Sequence, residues 1–348
     1  MALSADEVAN IANAALEFYV KGKPLASDIQ EKPLYETMIS KQKTFSGGKD
    51  NISVPVKLAH SITIQGYTHD DETGYQNPTN IRRAAYPWKE IHAGITISFT
   101  ELKKDGIEVV DTLDGSETSE NPGREMHVLS GILEDKLEEM GEGWARSFNE
   151  MLWLDGSQDS LVVPGIQALI TDTPTTGTVG GIDRASNPLW QNRALVGANK
   201  ITHSTSSQTL TKTLRAEARQ LRRYGGRPSL ILCGSGFIEK LENEVHEKGT
   251  YTQQGFVNKG KTDIGMAVIS MMGVGDFMYD PTLDDLDREN FAYFIDPKHL
   301  KLWVMKGEDR KVHNPARPYN RYVLYRGMTW SGGFVMDQGN CHGVYEAA

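Results

Sequence analysis

Residues 52 to 99 hold two long stretches in which apolar and polar side chains alternate, with no covering segment nearby in the sequence. In the first, Ile52, Val54, Val56, Leu58, Ile62 and Ile64 share one face, against Ser53, Lys57, Ser61, Thr63 and Gln65. In the second, Ile91, Ala93, Ile95, Ile97 and Phe99 oppose His92, Thr96 and Ser98. A period of two marks a half-buried strand, because successive side chains point to opposite faces. At about 3.3 Å per residue the first stretch alone reaches roughly 45 Å. A two-stranded ribbon of that length is marginal in water unless one face is covered. The cover must come from the rest of the chain or from a second copy, and this need points to assembly rather than catalysis. The expected ribbon pairs the two stretches. Its polar tip, about 67 to 88, is rich in turn formers such as Asp70, Asp71, Gly74, Asn77 and Pro78. Arg82 and Arg83 on the return can pair with the acidic limb, although a solvated loop is the simpler expectation.

Composition narrows the function classes. The chain has 348 residues, enough for two or three domains or one elongated subunit. A hydrophobic share of 39% supports a packed core. The net charge of −9 argues against a sequence-reading nucleic-acid protein, which would carry a basic face. It is compatible with a container wall that does not trap DNA on its surface. Cys233 and Cys341 are the only cysteines, which gives no disulfide framework and fits a reducing compartment. Neither a signal-peptide pattern nor an apolar run of ~18 residues is present, so no membrane partner is expected.

Along the chain, residues 4 to 21 read as a helix with Ser4 as cap, followed by an extended arm from Pro24 to Gly48. Asn121 and Pro122 open a long helix whose apolar stripe is Met126, Leu129, Leu133, Leu137, Met140, Trp144, Phe148 and Met151. Gly141 and Gly143 within it suggest a bend or a close helix-to-sheet contact. Residues 165 to 169 read as a short strand or turn. A second helix spans about 207 to 224, and Ser229 to Cys233 leads through Gly234 and Ser235 into a third, with Ser235 as N-cap. The remainder reads as strands, including 266–272, 291–295, 302–305, 322–325 and 328–336.

Few motifs in the chain carry chemistry. Gly234-Ser235-Gly236 lacks the third glycine of a dinucleotide loop and the spacing of a nucleophile elbow. Gly180-Gly181 is followed by no Gly-Lys-Ser/Thr, and His246-Glu247 lacks the second zincin histidine. His60, His69 and His92 are scattered, and no metal site, cofactor site or catalytic residue is expected. The carboxylates Glu134, Asp135, Glu138, Glu139 and Glu142 read as a solvent face. Arg215, Arg219, Arg222 and Arg223 form a basic side, by default solvated. An enzyme alternative would use Asp183, Arg184 and Trp190, against the plainer reading of a structural Asp183–Arg184 pair with Trp190 as a core anchor.

The order of elements, with Ala85-Tyr86-Pro87-Trp88-Lys89, Ile95 to Leu102, and Thr178 to Arg184 running on through Asn187 to Asn192, resembles the major capsid proteins of tailed bacteriophages. The resemblance implies an α+β fold of the Hong Kong 97 type. Residues 1–50 would be the N-terminal arm, 51–104 the extended E-loop, 105–195 with 320–348 the peripheral domain, and 196–319 the axial domain. It implies no enzyme activity. It implies pentamers and hexamers in an icosahedral shell around double-stranded DNA held without sequence specificity, so the protein would localise to the virion after assembly in host cytoplasm. A separate scaffolding protein and a portal would be further partners. Inter-subunit contact would fall to Ile52, Val54, Val56, Leu58, Ile62, Ile64, Arg82, Arg83, Trp88, Ile95, Ile97 and Phe99. The helix from Gly123 to Trp153 would be the spine, with Leu129, Leu133, Leu137, Met140, Trp144 and Phe148 in its core. An encapsulin-like compartment with protein cargo shares the fold, and a tail or connector protein would form rings or tubes instead.

Overall fold

A computed structural model describes residues 3–4, 31–59, 62–77, 80–104, 109–110, 122–246, 269–271, 273–313, 315 and 322–348. The first elements are β1 (Leu3–Ser4), α1 (Pro33–Ser40), β2 (Lys43–Phe45), β3 (Asn51–Lys57), β4 (Ile81–Pro87), β5 (Lys89–Ser98), α2 (Phe99–Lys104) and β6 (Val109–Val110). Then come α3 (Pro122–Trp153), α4 (Ile166–Leu169), β7 (Thr178–Val179), β8 (Ile182–Asp183), β9 (Arg193–Leu195), α5 (Thr209–Arg222), β10 (Leu230–Cys233) and α6 (Ser235–His246). The last part holds β11 (Ile269–Met271), β12 (Gly275–Tyr279), α7 (Pro281–Asp285), β13 (Phe291–Ile295), β14 (Leu300–Met305), β15 (Lys311–His313), β16 (Val323–Met336) and β17 (Gly343–Glu346). The chain divides into two compact units, Met1–Gln30 with Lys89–Phe148 and Val304–Gly332, and Glu31–Trp88 with Asn149–Trp303 and Gly333–Ala348.

In the first unit β16 pairs antiparallel with the whole of β5, from Val323 opposite Ser98 to Gly332 opposite Lys89. β15 pairs with β16 along Gly327 to Thr329. The stripe on α3 packs against these strands, because residues three and four apart share one helix face. Leu137 and Met140 bury against Ile95 and Val312. Trp144 stacks on Phe148 at 5.4 Å, and Phe148 meets Trp330 edge-on at 4.9 Å. Leu129 and Leu133 lie on the helix, but their side chains fall outside the described residues. The helix runs through Gly141 and Gly143 without a break. A methyl group at either would meet nothing within 4 Å, so neither marks a close helix-to-sheet contact.

The second unit is built on a six-stranded sheet in the order β11-β12-β10-β13-β17-β9. One face carries Leu210, Leu214, Ala218 and Leu221 of α5 and Phe237 and Leu241 of α6, packed with Ala292 and Phe294. On the intervening residue of β13, Tyr293 meets Trp153 at 5.0 Å. Period two on one strand thus serves two hydrophobic layers. The Trp153 indole donates to Asp280 at 2.9 Å, and Asp280 caps α7 through the Thr282 amide.

Several local expectations are corrected. The 24–48 arm is not all extended, since α1 starts at Pro33, and proline suits the first helical position because its missing N–H has no partner to lose there. Residues 166–169 are helical. The two strands expected at 322–325 and 328–336 are one, Val323–Met336, because Gly327 pairs across to Gly94 and keeps the ladder intact. Ser235 does not cap α6; it is the first helical residue, and its amide donates to Asp284 at 2.9 Å. Gly234 is required by a close approach, since a Cβ there would lie 2.4 Å from the Glu289 carbonyl oxygen. Residues 5–30 and Asn121, with the expected N-terminal helix and the α3 cap, lie outside the described residues.

Candidate assembly surface

The ribbon exists, with a different partner strand. β3 pairs antiparallel with β4, placing Ile52 opposite Tyr86, Val54 opposite Ala84 and Val56 opposite Arg82. The expected return strand, residues 91–99, instead pairs with β16 in the other unit. Alternation identifies a half-buried strand but not its neighbour, and both 81–87 and 89–98 alternate. Ile97 and Phe99 are consequently buried core residues and Ile95 is half-buried against the spine helix, so none of the three belongs to the ribbon.

At its base the ribbon is buried, and Ala84 and Tyr86 pack within their own unit. Ile52, Val56, Leu58, Ala84 and Tyr86 are buried, and Val54 is half-buried. The Tyr86 phenol donates to the Met336 carbonyl at 2.7 Å, and burial pushes its pKa well above the usual tyrosine range. The Ala85 amide donates to the Gly180 carbonyl at 2.9 Å. Gly180 and Gly181, at φ +60° and +74°, form the two-residue turn between β7 and β8, a conformation that favours glycine. This turn seats on Ala84 and Tyr86. The half-buried Trp88 donates from its indole to the Lys49 carbonyl at 2.9 Å.

Beyond Lys57 the pattern stops producing strand. Ile62 and Ile64 lie in an irregular tip whose limbs are joined by side-chain bonds, from Gln76 to Thr63 at 3.2 Å and from the Gly74 amide to Gln65 at 3.3 Å. Nothing in its own unit covers this part. Ile62 is 70% exposed, Ile64 fully so, Tyr75 96%, and Tyr67 and Ile81 64% each. These five are the majority of the large apolar side chains exposed among the described residues, the others being Leu161, Tyr224 and Tyr322. Large apolar side chains are seldom gathered in this way on a surface left to water. Asp71 accepts from the amide and hydroxyl of Thr68, both at 2.8 Å, which holds its carboxyl below the usual range. Arg82 and Arg83 are exposed and form no ion pair among the described residues.

The alternative chemistry is taken up by structure. Asp183 and Arg184 do not pair with each other. The Asp183 carboxylate caps the Ala185 and Ser186 amides. Arg184 is fully buried and donates to Thr171, Asn192 and the Leu169 carbonyl, and burial pushes its guanidinium down to about 10. Trp190 is buried and donates to the Val179 carbonyl at 3.0 Å. His69 and His92 belong to different units, and His60 lies outside the described residues. Glu138 and Glu139 are exposed, as are Arg215, Arg219, Arg222 and Arg223. Sequence reading overlooked Glu244, a buried carboxylate on α6 that accepts from the Leu210 and Thr211 amides at 2.9 Å each and so caps α5 from outside.

No protein-family model and no curated protein sequence matches the chain. Solved structures do. A chain of the cyanophage A-1(L) capsid asymmetric unit is similar over 92% of this chain and 94% of its own length, with a TM-score of 0.63 at 15% identity. The capsid of a native GTA particle gives 0.53 at 13% identity, covering 97% and 98%. The capsid of Myoviridae phage XM1 gives 0.52 at 8% identity, covering 94% and 95%. The chain therefore has the fold of tailed-phage capsid proteins, the α+β Hong Kong 97 type.

Proposed function

We propose that this chain is a major capsid protein, a structural rather than catalytic subunit that self-assembles into a closed shell. The observation that carries the reading is the tip of the β3–β4 ribbon, which displays Ile62, Ile64, Tyr67, Tyr75 and Ile81 to solvent on a chain with a capsid fold. Burying one such side chain stabilises association by roughly 1.5–3 kcal/mol, before the cost of lost motional freedom. Repeated around closed symmetry, the contact accumulates without covalent bonds. In this reading the ribbon and tip belong to the E-loop (51–104), α3 is the spine of the peripheral domain, and α5, α6 and the strands between residues 196 and 319 belong to the axial domain. Pentamers and hexamers would enclose double-stranded DNA, with a scaffolding protein and a portal as separate partners, and the mature location would be the virion.

Negative-stain microscopy of the expressed protein tests this. Closed shells of pentamers and hexamers are the expected result, and a monodisperse small oligomer under all assembly conditions would refute it. Shells that carry protein cargo instead of DNA would favour the compartment reading of the same fold.

A further inference from the structure

The end of β13 and the turn before β17 bring together three side chains that neither the ribbon nor the packing accounts for. Asp296 follows β13, His299 lies three residues on, and Cys341 sits two residues before β17. One donor atom from each lies within 4.8 Å of the others. Asp296 and Cys341 are buried and His299 is half-buried.

The surroundings are arranged as they would be around a cation. His299 Nδ1 lies 2.7 Å from Asp337 Oδ1; a carboxylate accepts, so this contact favours the tautomer with the proton on Nδ1 and Nε2 free to coordinate. A carboxylate behind a histidine in this way orients metal-binding imidazoles. The Asp296 oxygens accept from the Lys298 amide at 3.0 Å and the Arg227 amide at 2.8 Å, which fixes the carboxylate and leaves lone pairs free. Among the described residues, no lysine or arginine side chain pairs with Asp296 or Asp337. A buried carboxylate without a countercharge is costly. The Cys341 thiol has only a 3.3 Å bond to the Gln338 carbonyl. Next in the chain, the fully buried His342 ring accepts from the Asp296 amide through Nδ1 at 3.2 Å, and its Nε2 has no partner.

We propose that Asp296, His299 and Cys341 bind one zinc-like divalent cation, with Asp337 as the residue that positions His299 and water as the fourth ligand. One oxygen, one nitrogen and one sulfur suit zinc and its neighbours, not magnesium or calcium. Bonds of about 2.0–2.3 Å need donor separations near ~3.5 Å, so donor atoms that already lie within 4.8 Å of one another need only a small closing movement. Binding forms the metal–sulfur bond as the thiol releases its proton to solvent, and the Sγ–H bond to Gln338 is lost. The ion would tie the end of β13 to the C-terminal turn, independently of whether the chain forms shells.

Cobalt(II) titration of the purified full-length chain, after dialysis against a chelator, tests the proposal. One equivalent should bind, with a thiolate-to-cobalt absorption band in the near ultraviolet that zinc displaces. C341S should lose the band while keeping its far-ultraviolet circular dichroism. D337N, which keeps all three ligands, should bind roughly 10–100-fold more weakly. No band from folded wild-type protein would overturn the site, as would a band that persists in C341S and so belongs to Cys233. Were C341S to misfold, a wild-type affinity in D337N would overturn the assigned positioning role, and an unchanged cobalt spectrum in H299Q would overturn the ligand set.

Discussion

Replacing Tyr86 with phenylalanine removes one oxygen atom from the base of the ribbon. Tyr86 is 3% exposed, and its hydroxyl is 2.7 Å from the Met336 carbonyl. Y86F leaves that carbonyl without this donor, at a cost of about 1–2 kcal/mol. Y86A also removes the ring from its seat against Gly180 and Ala84, and truncations of buried aromatics cost roughly 3–5 kcal/mol. At the tip, I64D alters a side chain with no cover, and exposed substitutions stay within about 0.5 kcal/mol. Urea unfolding of the unassembled protein, followed by tryptophan fluorescence, should therefore rank wild type and I64D together, Y86F lower and Y86A lowest. A Y86A midpoint equal to wild type would show that the ribbon base is not held by its own unit, and the division between covered base and bare tip would fail.

Three further substitutions probe the frame. G234A forces a Cβ against the Glu289 backbone and should cost several kcal/mol, lowering the thermal midpoint, because backbone cannot move aside as a side-chain end can. E244A strips the cap from α5 and leaves buried amides unpaired, so about 2–3 kcal/mol should be lost in denaturant melts, with E244Q recovering part. The Ser157 amide and hydroxyl hold the Asp155 carboxyl below its usual value, so its stabilisation is complete above the unfolded value near 3.8 and is lost as pH falls through the lower folded value. D155A should accordingly be less stable than wild type at pH 6, with the gap narrowing toward pH 2 in melts at the two pH values.

Where the sequence was readable, the signal was local and periodic. The stripe on α3, the helix of α5 and the β10–α6 unit follow from spacing, and Leu137, Met140, Trp144 and Phe148 are all buried on the spine. The partner of a strand is set by distant residues, which is why β5 was expected beside β3 and lies beside β16. Alternation runs from 52 to 64, yet the strand ends at Lys57, and past the buried Leu58 the apolar positions Ile62 and Ile64 are exposed. Caps supplied across space, Glu244 to α5 and Asp284 to Ser235, leave no trace in local sequence. The bare tip was legible as a set of apolar residues lacking a cover, and the structure separates them from the residues at the base that have one.

Assembly of the I62D/I64D double variant measures the central claim most directly. Both positions are exposed in the single chain, so the variant should fold and melt like wild type. Under conditions in which the wild-type chain forms shells, electron microscopy and sedimentation should find the variant only as free subunits or small oligomers. Normal shells from I62D/I64D would contradict the claim that a second copy covers the ribbon tip.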